Sequence, residues 1–205
     1  MPRWVQIAIL AIGFTLGIAL MGVQMAASRF LTPYFGSGIE TWACIIATVM
    51  FALMAGYYLG GMAADRWPRT NVLGAVVTAA GFFLAIVPPL ATPVLDWVLE
   101  NVGYDVTATL LAANLMMFVP MTLLSFFSPY AVRLLLSGAE QGGRVAGSVY
   151  SITTIGNIVG TLGTALILMR FIGSRAIMWS FAGLIVVCGL ALIALHARAR
   201  IDAKS

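Results

Sequence analysis

Asp65, Arg66 and Arg69 stand together in a chain that carries little charge, and they close an apolar run. Gly56-Tyr57-Tyr58-Leu59-Gly60-Gly61-Met62-Ala63-Ala64 leads into Asp65-Arg66-Trp67-Pro68-Arg69, and the next apolar run opens at Val72. A carboxylate beside guanidinium groups makes and breaks ion pairs; it is not a bond-making site. Within the apolar runs the polar groups are neutral: Gln24, Asn114, Thr122, Ser125, Thr153, Thr154 and Asn157. Such amides and hydroxyls either bond helix to helix or line a hydrated cavity at mid-membrane. Arg29 and Glu40 border that region. Arg29 could meet an anion or snorkel to headgroups, and Glu40 is the one acid placed to reach a cavity. Groupings for catalysis are missing: there is no nucleophile elbow, no nucleotide-binding Gly-rich loop and no His-Glu metal helix. His196, the single histidine, falls among bases at a helix end, where an interfacial anchor is expected. The expectation is a protein that is not an enzyme and holds no metal or cofactor.

The elements that must position these groups are membrane spans. The chain has 205 residues, 61% hydrophobic and only 9% charged, and a soluble fold would need far more polar surface to cover its core. The net charge of +4 is small and scattered, which argues against a nucleic-acid partner and for a lipid bilayer. Six spans are expected, at about 5–28, 41–64, 71–90, 107–128, 145–169 and 176–195, each near the ~20 residues that cross ~30 Å of hydrocarbon. Pro120 lies inside the fourth and Pro129 just beyond it, so a kink or tilt is expected there. The first span is too long for a signal-peptide core and is expected to be retained. The connecting stretches at 29–40, 91–106 and 129–144 are too short for a catalytic fold, so residues 1–205 read as one domain. Lys and Arg set the orientation. Arg3, Arg66, Arg69, Arg133, Arg144, Arg198, Arg200 and Lys204 fall on one side, and Arg29, Arg170 and Arg175 on the other. Positive charge gathers inside, which places both termini in the cytoplasm of a cell (inner) membrane protein. Cys44 and Cys188 lie at different depths, too far apart for a disulfide.

Small residues recur at helical spacing. Gly13 and Gly17 share a face, as do Gly56 and Gly60. In the fifth span Gly143, Gly147 and Ser151 form one series, and Gly156, Gly160 and Thr164 another. Such faces let helices approach closely, either as tight packing within one bundle or as a surface that rocks.

The stretch from Gly56 to Arg69 resembles the loop signature between the second and third helices of the major facilitator superfamily, with Pro68 where that pattern has Gly. Two further blocks narrow the likeness. One is Ala27-Ser28-Arg29-Phe30-Leu31-Thr32-Pro33-Tyr34-Phe35-Gly36-Ser37, followed by Trp42. The other is Gly143-Arg144-Val145-Ala146-Gly147-Ser148-Val149-Tyr150-Ser151, continuing through Gly156 and Gly160 to Gly173-Ser174-Arg175. Together they are similar to the membrane part of fused major-facilitator/spermidine-synthase-like proteins. The synthase-like domain has no counterpart in these residues, so aminopropyl transfer is not carried over. Gln24 stands where relatives often have Glu, which removes an intramembrane proton carrier, and Glu40 stands where an uncharged residue is usual.

The resemblance implies an all-α, six-helix half of a major-facilitator-like transporter, N-in and C-in. Two parallel copies would restore twelve helices around a shared site. The expected function is transport of a small or amphipathic solute by a homodimer with alternating access. Gln24, Arg29, Glu40, Asn114 and Asn157 are the foremost cavity candidates. Asp65, with Arg66, Arg69, Arg133 and Arg144, is the expected conformational latch; Arg133 or Arg144 is its expected cation, and a helix N-terminus of the second copy its further partner. Coupling is expected to be absent or to run through Glu40 alone. The alternative is a non-transporting membrane subunit that anchors or regulates a separately encoded synthase-like partner.

Overall fold

The computed structural model describes residues 3–136, 138 and 141–202, with side chains through Arg198. Lys204 and the side chain of Arg200 lie outside that description. The described chain is all-helical. Its elements are α1 (Arg3–Phe35), α2 (Ile39–Arg66), α3 (Thr70–Asn101), α4 (Val106–Ser125), α5 (Phe127–Leu135), α6 (Gly142–Gly163), a π turn (Thr164–Leu168), α7 (Met169–Phe171) and α8 (Ser174–Asp202). α4 continues into α5, and α6 through the π turn into α7. The result is six helices long and apolar enough to cross a membrane. Large apolar side chains such as Phe51, Phe82, Leu115, Ile158 and Leu190 point outward. A lipid environment suits such a surface and water does not. The build is that of a multi-pass membrane protein.

The helices are longer than the apolar runs alone imply, and the loops correspondingly shorter. α1 stops at Gly36 (φ +78°), whose N–H reaches Thr32 O at 2.9 Å. α3 continues to Asn101 and stops at Gly103 (φ +108°), whose N–H reaches Val98 O at 3.3 Å. Both turns use the left-handed region open to glycine. The stretches expected as loops at 29–40 and 91–106 thus shrink to a few residues each. α3 survives Pro88, Pro89 and Pro93 within it. Pro89 cannot donate to the carbonyl of Ala85; the indole N–H of Trp179 on α8 does so instead, at 3.2 Å, the kind of neighbour's rescue that lets membrane helices carry proline. At the start of α4, Asp105 Oδ1 accepts the Thr107 hydroxyl (2.6 Å) and the Ala108 N–H (2.9 Å). The Thr107 bond first, then the backbone N–H, holds its carboxyl below the usual range. The fourth span stays helical through Pro120, and its regular helix is interrupted at Phe126. There Pro129 leaves the Ser125 carbonyl without its i+4 donor.

The helices pack in pairs: α3 with α8, α1 with α6, and α2 with α4 and α5; α3 also meets α4, and α1 meets α8. Exchanging the first three spans for the last three maps this pattern onto itself. Glycines set each contact. A Cβ on Gly56 would strike Ser125 Oγ and Thr122 O, and one on Gly60 the backbone of Phe126. Gly156 and Gly160, each 100 residues later, sit on the carbonyl oxygens of Phe14 and Ile18. Gly13 lies under Phe127 and Thr153, and Gly17 under Thr153 and Asn157. Gly74 and Gly189 face each other across the α3–α8 pair. Gly147, expected in the same role, meets nothing of its own chain, and neither does Gly143. The reason is that α6 is the least covered helix. Only 17% of its most apolar window is buried, against 39% to 56% for the other spans.

Two glycines of α8 separate close packing from mere small size. Gly189→Val forces Thr78 and the α3 backbone away and is expected to destabilise by about 1–3 kcal/mol, as overpacking does. Gly183→Ala meets open space and is expected to keep stability or raise it by up to about 1 kcal/mol, the helix preference of alanine over glycine. Thermal unfolding in detergent measures both, and equal losses would contradict the packing described.

Candidate functional site

Between the α1–α6 pair and the α2–α4–α5 group lies a cavity of about 80 Å³. Its wall combines glycines that leave room with side chains that carry hydroxyls. Gly13, Leu16, Gly17, Leu20 and Met21 come from α1, and Leu53 and Tyr57 from α2. Leu124 and Ser125 come from α4, Phe127 and Ser128 from α5, and Tyr150, Thr153, Thr154 and Asn157 from α6. Tyr57 lies ten residues before Trp67, ~15 Å of helix at 1.5 Å per residue, so the cavity is well inside the bundle. The Ser125 hydroxyl bonds Thr122 O at 2.8 Å, and Thr153 Oγ1 bonds Val149 O at 2.9 Å. Both satisfy helix carbonyls and leave lone pairs toward the cavity. Asn157 rests on Gly17, which explains why that position of α1 carries no side chain.

Of the foremost candidates, Asn157 lines this cavity and four do not. Gln24 is buried in the core at 6% exposure, away from the cavity wall. Asn114 donates to Thr48 Oγ1 at 3.0 Å and to Leu110 O at 2.8 Å. It is therefore a bond between α4 and α2, the ordinary fate of an amide in a membrane bundle. Arg29 lines a separate crevice with Met169, Ile172, Gly173 and Ser174. Glu40 is exposed in the first turn of α2, where a carboxylate favours the helix dipole. Thr122 is buried without a partner for its hydroxyl and is not part of the wall. Cys44 and Cys188 are both free and buried.

The charged cluster closes the same end of the bundle at which α6 begins. Asp65 Oδ1 accepts from Arg133 Nε at 2.9 Å, so α2 is tied to α5. Arg144, the other expected cation, lies exposed on the first turns of α6 and is not joined to Asp65. Arg66 stacks over Trp67 at 5.0 Å. The strongest restraint on this loop is one that residue types did not announce. Tyr130, fully buried on α5, directs its hydroxyl at the Trp67 carbonyl and the Arg69 carbonyl, the latter at 3.2 Å. The Arg69 N–H donates to the Tyr130 hydroxyl oxygen at 3.4 Å. A repetition in the sequence could have pointed to it. Phe126-Phe127-Ser128-Pro129-Tyr130 at the end of span four echoes Phe30-Leu31-Thr32-Pro33-Tyr34 at the end of span one.

No family model matches the chain, and no curated protein or solved structure is significantly similar to it.

Tyr130 and Asp65 are expected to differ sharply in what their loss does. Tyr130→Phe removes the side-chain donor that the Trp67 and Arg69 carbonyls share with backbone N–H groups, and it is expected to speed hydrogen exchange of the Trp67 and Arg69 amides about threefold to tenfold, the net ~0.5–1.5 kcal/mol of one hydrogen bond. Asp65 and Arg133 are 75% and 46% exposed, so Asp65→Asn is expected to change stability by less than about 1 kcal/mol. Equal protection of the loop in wild type and Tyr130→Phe would remove the tyrosine from this role.

Proposed function

We propose that the protein is half of a major-facilitator-like transporter, oriented with both termini in the cytoplasm, that moves a small solute as a parallel homodimer. The observation that carries this reading is the hydroxyl-lined cavity set beside α6, the span that the chain leaves least covered. A membrane helix with open glycines at 143 and 147 is suited to a close partner, and a second copy would extend the cavity wall rather than expose it to lipid. The pairing pattern supports the same reading. Each six-span half of a major-facilitator protein is built from two inverted three-span repeats, and the exchange of spans one to three with four to six preserves the contacts here. Arg3, Arg66, Arg69, Arg133, Arg144 and Arg198 gather at one end of the spans, which favours that end as cytoplasmic. The Asp65–Arg133 pair ties α2 to α5 at that end and would act as the latch, made in one state and broken in the other.

Two measurements test the reading. Cysteine replacing Gly147 is expected to cross-link between copies in nanodiscs, whereas cysteine replacing Phe82, on the outward face of α3, is not. A strict monomer by native mass spectrometry overturns the dimer and leaves the anchoring of a separately encoded partner as the better account. For the latch, a thiol reagent applied from the cytoplasmic side is expected to label Ser128→Cys several-fold faster when Asp65 is also replaced by Asn. Unchanged labelling would mean that the ion pair holds no conformational state.

A further inference from the structure

The wall of the cavity contains no Asp, Glu, Lys, Arg or His among the described residues. Its polar groups are six hydroxyls and one amide, from Tyr57, Ser125, Ser128, Tyr150, Thr153, Thr154 and Asn157. Ser125 and Thr153 donate to helix carbonyls. The hydroxyls of Tyr57, Ser128, Tyr150 and Thr154 and the side-chain amide of Asn157 hold no hydrogen bond within the described chain. They are therefore free to donate and accept toward a ligand.

Three classes of solute can be compared against this wall. An anion or a cation entering it would lose hydration and find no countercharge, a cost that buried ions do not recover without a partner. The charged side chains lie elsewhere: Asp65 and Arg133 pair with each other between α2 and α5, Arg29 lines another crevice, and Glu40 is exposed at the start of α2. A purely apolar solute would leave five donor-bearing groups unpaired, which is also unfavourable. A neutral solute rich in hydroxyls or amides satisfies both demands. At about 80 Å³ the cavity is far below the ~300–1,000 Å³ of sites for drug-sized ligands, so the solute has few heavy atoms.

Resting on the transport reading above, we infer that the cavity between α1, α2, α5 and α6 binds a small, neutral, polyhydroxylated or amide solute through Tyr57, Ser128, Tyr150, Thr154 and Asn157. Sites that hydrogen-bond a hydroxyl reject analogues that lack one, because their own polar groups are then left unpaired. Selection against ions and against alkyl analogues is the signature expected of it.

The test uses the full-length protein in liposomes, with erythritol as the neutral probe and choline and lactate as charged ones. Stopped-flow light scattering reads the flux, and thermal unfolding in the presence of each probe reads binding. Erythritol flux is expected to exceed that of protein-free liposomes, while choline and lactate fluxes do not. Thr154→Val is nearly isosteric at an exposed position and keeps the fold; it is expected to lower erythritol flux about fivefold, and Asn157→Leu about tenfold, as losing a partner for a polar ligand does. Flux of choline or lactate without erythritol overturns the neutral class and leaves the transport reading standing. Stabilisation by erythritol that Thr154→Val abolishes, with no flux of any probe, keeps the binding class and overturns transport. Neither flux nor stabilisation by erythritol overturns the inference.

Discussion

Close approach of helix backbones is the constraint on which this molecule depends. Lipid gives helices no hydrophobic reason to associate, so packing must come from van der Waals contact and weak polar contacts at short range. Glycines allow that approach. Gly156 and Gly160 rest on carbonyl oxygens of α1, Gly56 and Gly60 on the α4–α5 junction, and Gly74 and Gly189 on one another. Three tight pairs follow, and the cavity is what remains where the α1–α6 pair meets the α2–α4–α5 group. Gly13 and Gly17 belong to both features, since they lie under α6 and also form part of the cavity wall.

Proline shapes the remainder by subtracting backbone donors. Pro129 ends the regular hydrogen bonding of α4, and the chain turns through Phe126 into α5. That break presents the Phe126 backbone to Gly60, turns Ser128 toward the cavity and sets Tyr130 beneath the Trp67–Arg69 loop. One missing N–H thus links a packing contact, a cavity wall and a loop restraint. Pro89 acts differently, because a neighbour repairs its gap: Trp179 supplies the lost donor to Ala85 and the helix runs on.

Six membrane-length helices, the pairing of Asp65 with an arginine, and the packing roles of Gly13, Gly17, Gly56, Gly60, Gly156 and Gly160 were all legible in the sequence, because apolar run length, scarce charge and helical spacing are one-dimensional signals. Helix ends were less legible. Gly36 and Gly103 stop their helices by backbone conformation, not by polarity, so the apolar count stops short of them. The site was legible in kind but not in detail. Neutral groups in spans one, four and five were identified as cavity candidates, yet Asn114 and Asn157 are the same residue type in the same kind of setting. Only the neighbour separates them: Thr48 faces Asn114 and takes its bond, whereas Gly17 faces Asn157 and leaves its amide unpaired. Tyr57 and Tyr150 also line the wall, and nothing in spacing or composition sets them apart from the other aromatic residues of the spans. The difference between Gly147 and Gly156 is likewise invisible in spacing, since it depends on which side of α6 the bundle occupies.

The placement of charge also bears on how such a protein could be driven. Proton-coupled carriers keep an ionisable group within the bundle, where its charge is costly and its protonation state matters. Here Gln24 occupies a buried position without charge, and Glu40 lies exposed at the first turn of α2, off the cavity wall. Asp65, at the end of α2, is engaged with Arg133. Under the transport reading, a proton therefore has no carrier that shares the cavity with the solute. The state of the latch can respond to solute occupancy through α2 and α5, since both supply wall residues, Tyr57 and Ser128, and both supply one member of the ion pair. A solute that bridges these two helices favours the state in which they are held together, and its own gradient is then sufficient to set the direction of flow.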